Sequence, residues 1–259
     1  MDTRQQESWK ILLIGDSCED IYHYGVCNKL SPEAPVPVLK QERTENKLGM
    51  SSNVRLNLES FGMSVFHFHN TETIKKHRLI DVKHNQHLLR FDEGEEIAIK
   101  PFDVGLLTGI KDEIDAVVIS DYDKGFLTDS LLDNLCYIFK DKPIFVDSKK
   151  QDLSFLSECI VKINEKEFNQ MTKPPKDSEL IVTLGEKGAM YNDKLYSVKK
   201  TEVFDVCGAG DVFLSALVFG YLNYGTMSQS IKLANACASI SVSKLGAYVL
   251  KEEDLEKLL

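Results

Sequence analysis

The chain has 259 residues, 43% hydrophobic and 27% charged, with 31 Lys+Arg against 40 Asp+Glu and a formal net charge of −9. Such proportions suit a globular protein with a real core, and the negative balance argues against nucleic acid or an anionic membrane surface as the partner. No apolar run approaches the roughly 20 residues of a membrane-spanning helix, the polar start MDTRQQESWK leads us to expect no secretory leader, and six scattered cysteines without a CxxC pair point to reduced thiols in a cytoplasm.

The first element is the apolar run 9–15, WKILLIG, which ends in Gly15-Asp16; buried strands whose carboxyl ends open into a site stop in this way. Pro35 and Pro37 mark the next extended stretch as an edge strand, because proline cannot donate to a ladder. Gly49-Met50-Ser51-Ser52-Asn53 precedes a helical pattern through Val54, Leu56, Leu58 and Phe61, with Ser52 or Asn53 as the expected cap and Gly62 as the stop. Residues 63–69 alternate as a strand, and 77–92 read as a β-hairpin or small sheet standing off the main body. The pattern then predicts a helix over 102–114, a buried strand over 116–121 and a helix over 131–139. Strands follow at 143–147, 160–163 and 180–183, then a hairpin around Asn192-Asp193. Helices over 211–222, 228–245 and 253–259 close the chain. Strands alternating with helices imply an α/β fold: a mostly parallel sheet covered on both faces, with ligands at the carboxyl ends of its strands.

The densest chemistry lies in Asp205-Val206-Cys207-Gly208-Ala209-Gly210-Asp211, just before an apolar helix. Two glycines around an alanine let backbone amides crowd together at a helix N-terminus, where they and the helix dipole suit an anion, phosphate above all. An acid in that turn repels phosphate unless Asp211 takes a proton from an incoming hydroxyl while the amides hold the transferring group. The bland alternative is a tight turn with a dipole-favoured acid. Phe213 stands where a dinucleotide fingerprint needs its third glycine, and no GxxxxGK[ST] occurs.

DVCGAGDVF resembles the C-terminal signature of the ribokinase-like (PfkB) carbohydrate kinases, with Cys207 where threonine is usual. GDSCEDIYHYG (15–25), LSPEAPVPV (30–38), Leu89-Arg90-Phe91-Asp92, SDYDKG (120–125) and Lys244-Leu245-Gly246 are similar to the D-glycero-β-D-manno-heptose 7-phosphate kinases of that family, in order and over nearly the whole chain. The resemblance implies a three-layer α/β/α sandwich with a small β lid: one domain over 1–259, with lid strands from about 21–48 and 76–92. It implies ATP and Mg²⁺ as cofactors and a cytoplasmic homodimer, paired through the lid, acting on the anomeric hydroxyl of a heptose 7-phosphate, for nucleotide-heptose synthesis.

Carried over position by position, Asp211 is the base and Gly208, Ala209 and Gly210 the anion hole. Asp20, Gly49 and Asn53 bind sugar hydroxyls, which a carboxylate and an amide suit because each makes two hydrogen bonds. Arg90 and Lys124 meet the sugar's own phosphate. Lys149, Asn164, Thr183, Gly185, Gly188, Asn235, Lys244 and Gly246 belong to the nucleotide site, and Glu167 of the NxxE motif helps place magnesium through water. Without the resemblance, Asp20, Asp121 and Asp147 read equally as strand-end turn residues, Glu167 as a solvated helix acid and Lys149-Lys150 as a surface pair. His67-x-His69 and His84-x-x-His87 lack nearby Cys or acid ligands for a metal.

Departures from the family pattern leave alternatives open. Met50 replaces a second glycine, so its side chain crowds the sugar and favours another sugar or sugar phosphate. Body segments between 62 and 78 and between 167 and 180 are short, and the nucleotidyltransferase half of the bifunctional relatives is expected to be absent. Those shortened regions favour a weakly catalytic binding relative, while the retained Asp211 argues against it.

Overall fold

In this computed structural model, which describes residues 8–199 and 201–259, the chain first makes β1 (Lys10–Gly15), β2 (Ser17–Leu30), β3 (Pro37–Met50), α1 (Ser51–Ser60), β4 (Ser64–His69), β5 (Lys75–Asp81) and β6 (Gln86–Glu93). It continues through β7 (Ala116–Asp121), α2 (Asp129–Ile138), β8 (Ile144–Ser148), β9 (Ile160–Asn164), α3 (Glu165–Gln170) and β10 (Glu179–Thr183). The last elements are β11 (Ala189–Tyr191), β12 (Lys194–Tyr196), α4 (Ala209–Tyr224), α5 (Met227–Ser241) and α6 (Glu252–Leu255).

Eight strands form the central sheet in the order β12-β11-β10-β9-β8-β7-β1-β4. All neighbours from β10 to β4 run parallel, and β11 and β12 extend that edge antiparallel. β1, β7 and β8 are buried along almost their full length, which is why they read as continuous apolar runs. Leu13 and Val118 face a core shared with α1, α4 and α5, while Leu12 and Val117 face a second core with α2. The sheet is therefore covered on both sides, as the expected three-layer α/β/α sandwich requires.

The second sheet has four strands in the order β3-β2-β5-β6, with β2 and β5 parallel and the outer pairs antiparallel. Pro37 opens β3 at the edge, where its missing N–H costs nothing. Lys47 Nζ reaches the carbonyls of Leu245 and Ala247 at 3.2 and 3.3 Å, and the Tyr22 hydroxyl accepts from the Ala247 amide at 3.0 Å. These bonds tie the small sheet to the loop after α5.

Some predicted elements differ. Residues 102–114 form two short 3₁₀ turns, Val104–Leu107 and Lys111–Glu113, because Gly105 and Gly109 interrupt the pattern and Gly109 takes a positive φ of 84°. Neither Ser52 nor Asn53 caps α1; both lie inside the helix, and the residue before it, Met50, makes no side-chain cap. The connector after 164 does hold a helix, α3, closed by an Asn164–Glu167 capping box. The final helix ends at Leu255, and α5 ends at Ser241.

Candidate active site

The carboxyl ends of β1 and β7 and the N-terminus of α4 meet at Asp211. Asp16, directly after β1, is fully buried. Its carboxylate accepts the Tyr122 amide at 2.7 Å, its carbonyl accepts the Ser51 amide at 2.9 Å, and its own amide bonds Ser120. Asp16 thus fixes the loop after β7 and the start of α1 relative to β1. Burial raises its pKa above the ordinary carboxylate value, against the pull of the Tyr122, Lys124 and Phe126 amides.

That loop and that helix deliver the two donors to Asp211. Asn53 Nδ2 donates to Oδ2 and the Tyr122 hydroxyl donates to Oδ1, both at 2.9 Å. Asp211 is 4% exposed, and burial pushes its pKa up to about 6, helped by the charge of Asp147 and opposed by the bonds from Asn53 and Tyr122. A carboxylate poised near neutrality is matched to general-base work. Gly208 precedes α4 in the left-handed region (φ 74°), and the first-turn amides of such a helix lack intrahelical acceptors, so they face whatever anion binds there.

Beneath the turn, Lys162 Nζ lies 2.9 Å from where a Cβ on Gly210 would stand. It is 2% exposed and pairs with Asp147 Oδ2 at 2.6 Å. Asp147 Oδ1 also meets Lys149 Nζ at 3.2 Å, and Lys149 reaches Glu167 Oε1 at 2.6 Å. Burial disfavours the Asp147 charge, but Lys149 and Lys162 outweigh it and hold the carboxyl below its ordinary pKa. Glu167 Oε2 accepts the Asn164 amide at 2.8 Å, and Asn164 Oδ1 accepts the Glu167 amide at 2.9 Å. A row of alternating charges therefore runs from the glycine turn to α3.

Two adjoining cavities open here. One, of about 410 Å³, is lined by Asp211, Gly208, Gly210, Tyr122, Lys149, Lys162, Asn164 and Thr183 among others. The second, of about 190 Å³, shares Thr183, Gly185 and Gly210 and adds Ala209, Gly188, Asn235 and the apolar Val198, Val203 and Val242. A polar chamber at the acid and an apolar slot beyond it would accept a polyphosphate joined to a flat ring. Lys244 and Gly246 line neither cavity; the Gly246 amide bonds Asp205 at 2.8 Å and its turn abuts Tyr22 and Lys47 of the small sheet.

On the small sheet, Asp20 is 5% exposed and paired with Arg78, and Gly49 lies against both Asp20 and Cys18. Arg90 grips Asp92 with two nitrogens at 2.8 and 2.5 Å, and Lys124 pairs with Glu95. Met50 is buried with Cys18, Ile74 and Tyr122, at φ 57° and ψ −134°. Such a conformation is strained for a residue with a Cβ, and strain of this kind clusters at functional sites.

Sequence alone gives no role to Tyr122 or Lys162 and marks Asp16 only as the end of a strand that opens into a site. A lysine inside a strand otherwise apolar was the available signal for Lys162. Tyr122 had none beyond its place after a strand-end acid. For magnesium, Glu167 offers one carboxylate whose Oε1 already meets Lys149 and whose Oε2 takes the Asn164 amide, so it would act through water, with water and nucleotide phosphates completing an ordinary set for that ion. Among the described residues no group of three or more His, Cys, Asp or Glu could hold a metal alone.

Residues 135–254 match the family described as pfkB family carbohydrate kinase. The bifunctional protein HldE of Campylobacter jejuni is 31% identical over 297 residues, covering 96% of this chain and 64% of that protein. Its counterpart in Helicobacter pylori is 30% identical over 309 residues, covering 96% and 66%. The chain thus spans just under two thirds of the length of these curated relatives. Among solved structures, phosphofructokinase-2 from Escherichia coli in complex with substrates and products is similar with a TM-score of 0.72 at 15% identity, over 97% of this chain and 98% of that one. Ribokinase from Arabidopsis thaliana complexed with ribose and ATP gives 0.68 at 14% identity, over 97% and 98%. At these identities the structural likeness is one of fold.

Proposed function

The chain carries a PfkB-family carbohydrate kinase domain, and on that premise we propose that it transfers the γ-phosphate of ATP to a sugar hydroxyl, namely the anomeric hydroxyl of D-glycero-β-D-manno-heptose 7-phosphate. One observation carries the reading: a buried carboxylate, Asp211, held by two donors at the N-terminus of α4 beside a glycine turn. The heptose substrate is supported by the SPEAPVPV stretch and the likeness to the HldE proteins.

In this reading the acceptor hydroxyl donates its hydrogen bond to Asp211, which removes the proton as the oxygen attacks the γ-phosphorus. The amides of Gly208, Ala209 and Gly210 take the charge on the transferring group, with Lys162 beneath them adding positive potential. Asn53 and Tyr122 hold the carboxylate to one orientation, so the base needs no reorganisation. Asp20 and Gly49 face the sugar, while Arg90 and Lys124, which the resemblance assigns to its phosphate, are held by Asp92 and Glu95. Thr183, Gly185, Gly188 and Asn235 line the nucleotide's slot. Magnesium, placed through water by Glu167, would neutralise the β- and γ-phosphates.

A second reading, the same transfer to another sugar or sugar phosphate, is favoured by Met50, whose side chain packs against Tyr122 where the family has a glycine. Exposed Leu89 and Phe91, which alternate with Arg90 and so share the outer face of the small sheet, support a homodimer through that sheet. A cytoplasmic setting fits the six unpaired cysteines. The deciding experiment is ADP release with Mg·ATP and a panel of heptose, hexose and pentose phosphates and their unphosphorylated sugars. Release above background with a sugar phosphate supports the reading, and none with any acceptor removes it.

A further inference from the structure

The inner face of the small sheet carries Lys76, Arg78 and Arg90 beside Asp20 and Asp92, and β3 continues it with Lys47, Glu45 and Arg43, of which Lys47 is already spent on the carbonyls of Leu245 and Ala247. In register, Lys76 on β5 stands between Asp20 on β2 and Asp92 on β6. Both carboxylates are already engaged, Asp20 by Arg78 and Asp92 by Arg90. Among the described residues Lys76 makes no ion pair with either neighbour. Its ammonium instead lies 5.6 Å from the centre of the Tyr122 ring, the residue whose hydroxyl bonds Asp211. Lys76 is only 9% exposed. The stem is thus covered while no anion lies against the ammonium, which leaves a positioned cation for an incoming anion.

We propose that Lys76 is the cation of the small sheet that binds a phosphate carried by the acceptor, which makes it a specificity-determining residue for phosphorylated over plain sugars. The inference rests on the kinase reading of the Asp211 site. Three features point to the acceptor as the source of the phosphate. Lys76 lines neither of the two cavities that contain the glycine turn and the nucleotide slot. Its neighbours along the sheet are Asp20 and Arg78, on the acceptor side. Arg90 and Lys124 are neutralised by Asp92 and Glu95, so they must first release a carboxylate, whereas Lys76 is ready.

The test compares wild type with Lys76→Met and Lys76→Arg, using sugar phosphates, the same sugars without phosphate, and Mg·ATP. Lys76→Met should raise KM for the sugar phosphate about 10- to 100-fold, the loss expected of one charge-assisted contact. It should leave KM for Mg·ATP and for the plain sugar within about twofold, and Lys76→Arg should recover most of the loss. Unchanged KM for the sugar phosphate, or an equal loss for the plain sugar, overturns the assignment. A loss that falls on Mg·ATP overturns it too, since the cation would then serve the transferring group. Calorimetric titration of the sugar phosphate without nucleotide separates this inference from the kinase reading. Binding that Lys76→Met abolishes supports it even where ADP release fails, and binding that the variant retains sinks it even where turnover succeeds.

Discussion

The Tyr122 hydroxyl donates to Asp211 Oδ1 at 2.9 Å, on the carboxylate oxygen not taken by Asn53. Burial raises the Tyr122 pKa well above its ordinary value, so the phenol stays a donor at any working pH. Hydrogen bonds to a carboxylate favour its charged form, the form that the proposed transfer needs as its base.

The pH dependence follows with a definite sign. Asp211 titrates at about 6, so kcat/KM should fall as pH drops through about 6 and the base is protonated. Tyr122→Phe removes one donor to the charged form and should move this acid limb to higher pH. At pH 6.5 the variant should lose several-fold in kcat/KM and recover most of it at pH 8.5. A loss of equal size at both pH values would mean that Tyr122 merely packs.

Asp211→Asn should trade activity for stability. A carboxyl whose folded pKa lies above its unfolded value contributes stability that is present below the ordinary pKa of 3.8 and lost as pH rises through about 6. At pH 8 the charged, buried Asp211 therefore weakens the fold by at most about 2–3 kcal/mol, at roughly 1.4 kcal/mol per unit. The neutral amide should raise Tm at pH 8 by a few degrees, with the difference shrinking by pH 4, while turnover drops at least about 10³-fold and ATP binding survives. Melting curves at the two pH values and an equilibrium nucleotide titration check all three parts.

The sheet was legible in the sequence because its central strands are buried on both faces, so β1, β7 and β8 appear as bare apolar runs. The helix expected over 102–114 failed because two glycines outweighed its apolar spacing. Asn53 shows a different limit. Its type suits a helix cap, and only the tertiary structure reveals that its amide is spent on Asp211, 158 residues away. Lys76 carries no signal in the sequence, since nothing local records that both flanking acids belong to arginines.

Glu167 does two jobs that one substitution can separate. Its Oε2 closes the cap of α3 and its Oε1 faces Lys149. Glutamine keeps an acceptor for the cap but removes the charge. Glu167→Gln should leave Tm within a few degrees while raising several-fold the Mg²⁺ concentration needed for half-maximal activity. An unchanged Mg²⁺ dependence, read by titrating the metal at fixed ATP, would limit Glu167 to its cap.

Gly49→Ala tests the acceptor side without replacing a charged group. A Cβ on Gly49 would strike the Asp20 carboxylate and would sit 2.7 Å from Cys18 Sγ, a distance at which something must move. Asp20 has little room, since Arg78 holds it and both lie under the small sheet. The overpacking should cost about 1–3 kcal/mol of stability. It should also displace the carboxylate from the sugar's hydroxyls and raise the acceptor KM about tenfold or more. The nucleotide cavities do not include Gly49, so KM for Mg·ATP should change by less than about twofold. Steady-state kinetics with each substrate varied in turn reads the two effects apart. A loss shared equally by both substrates would mean that the small sheet acts on the whole site and not on the acceptor alone.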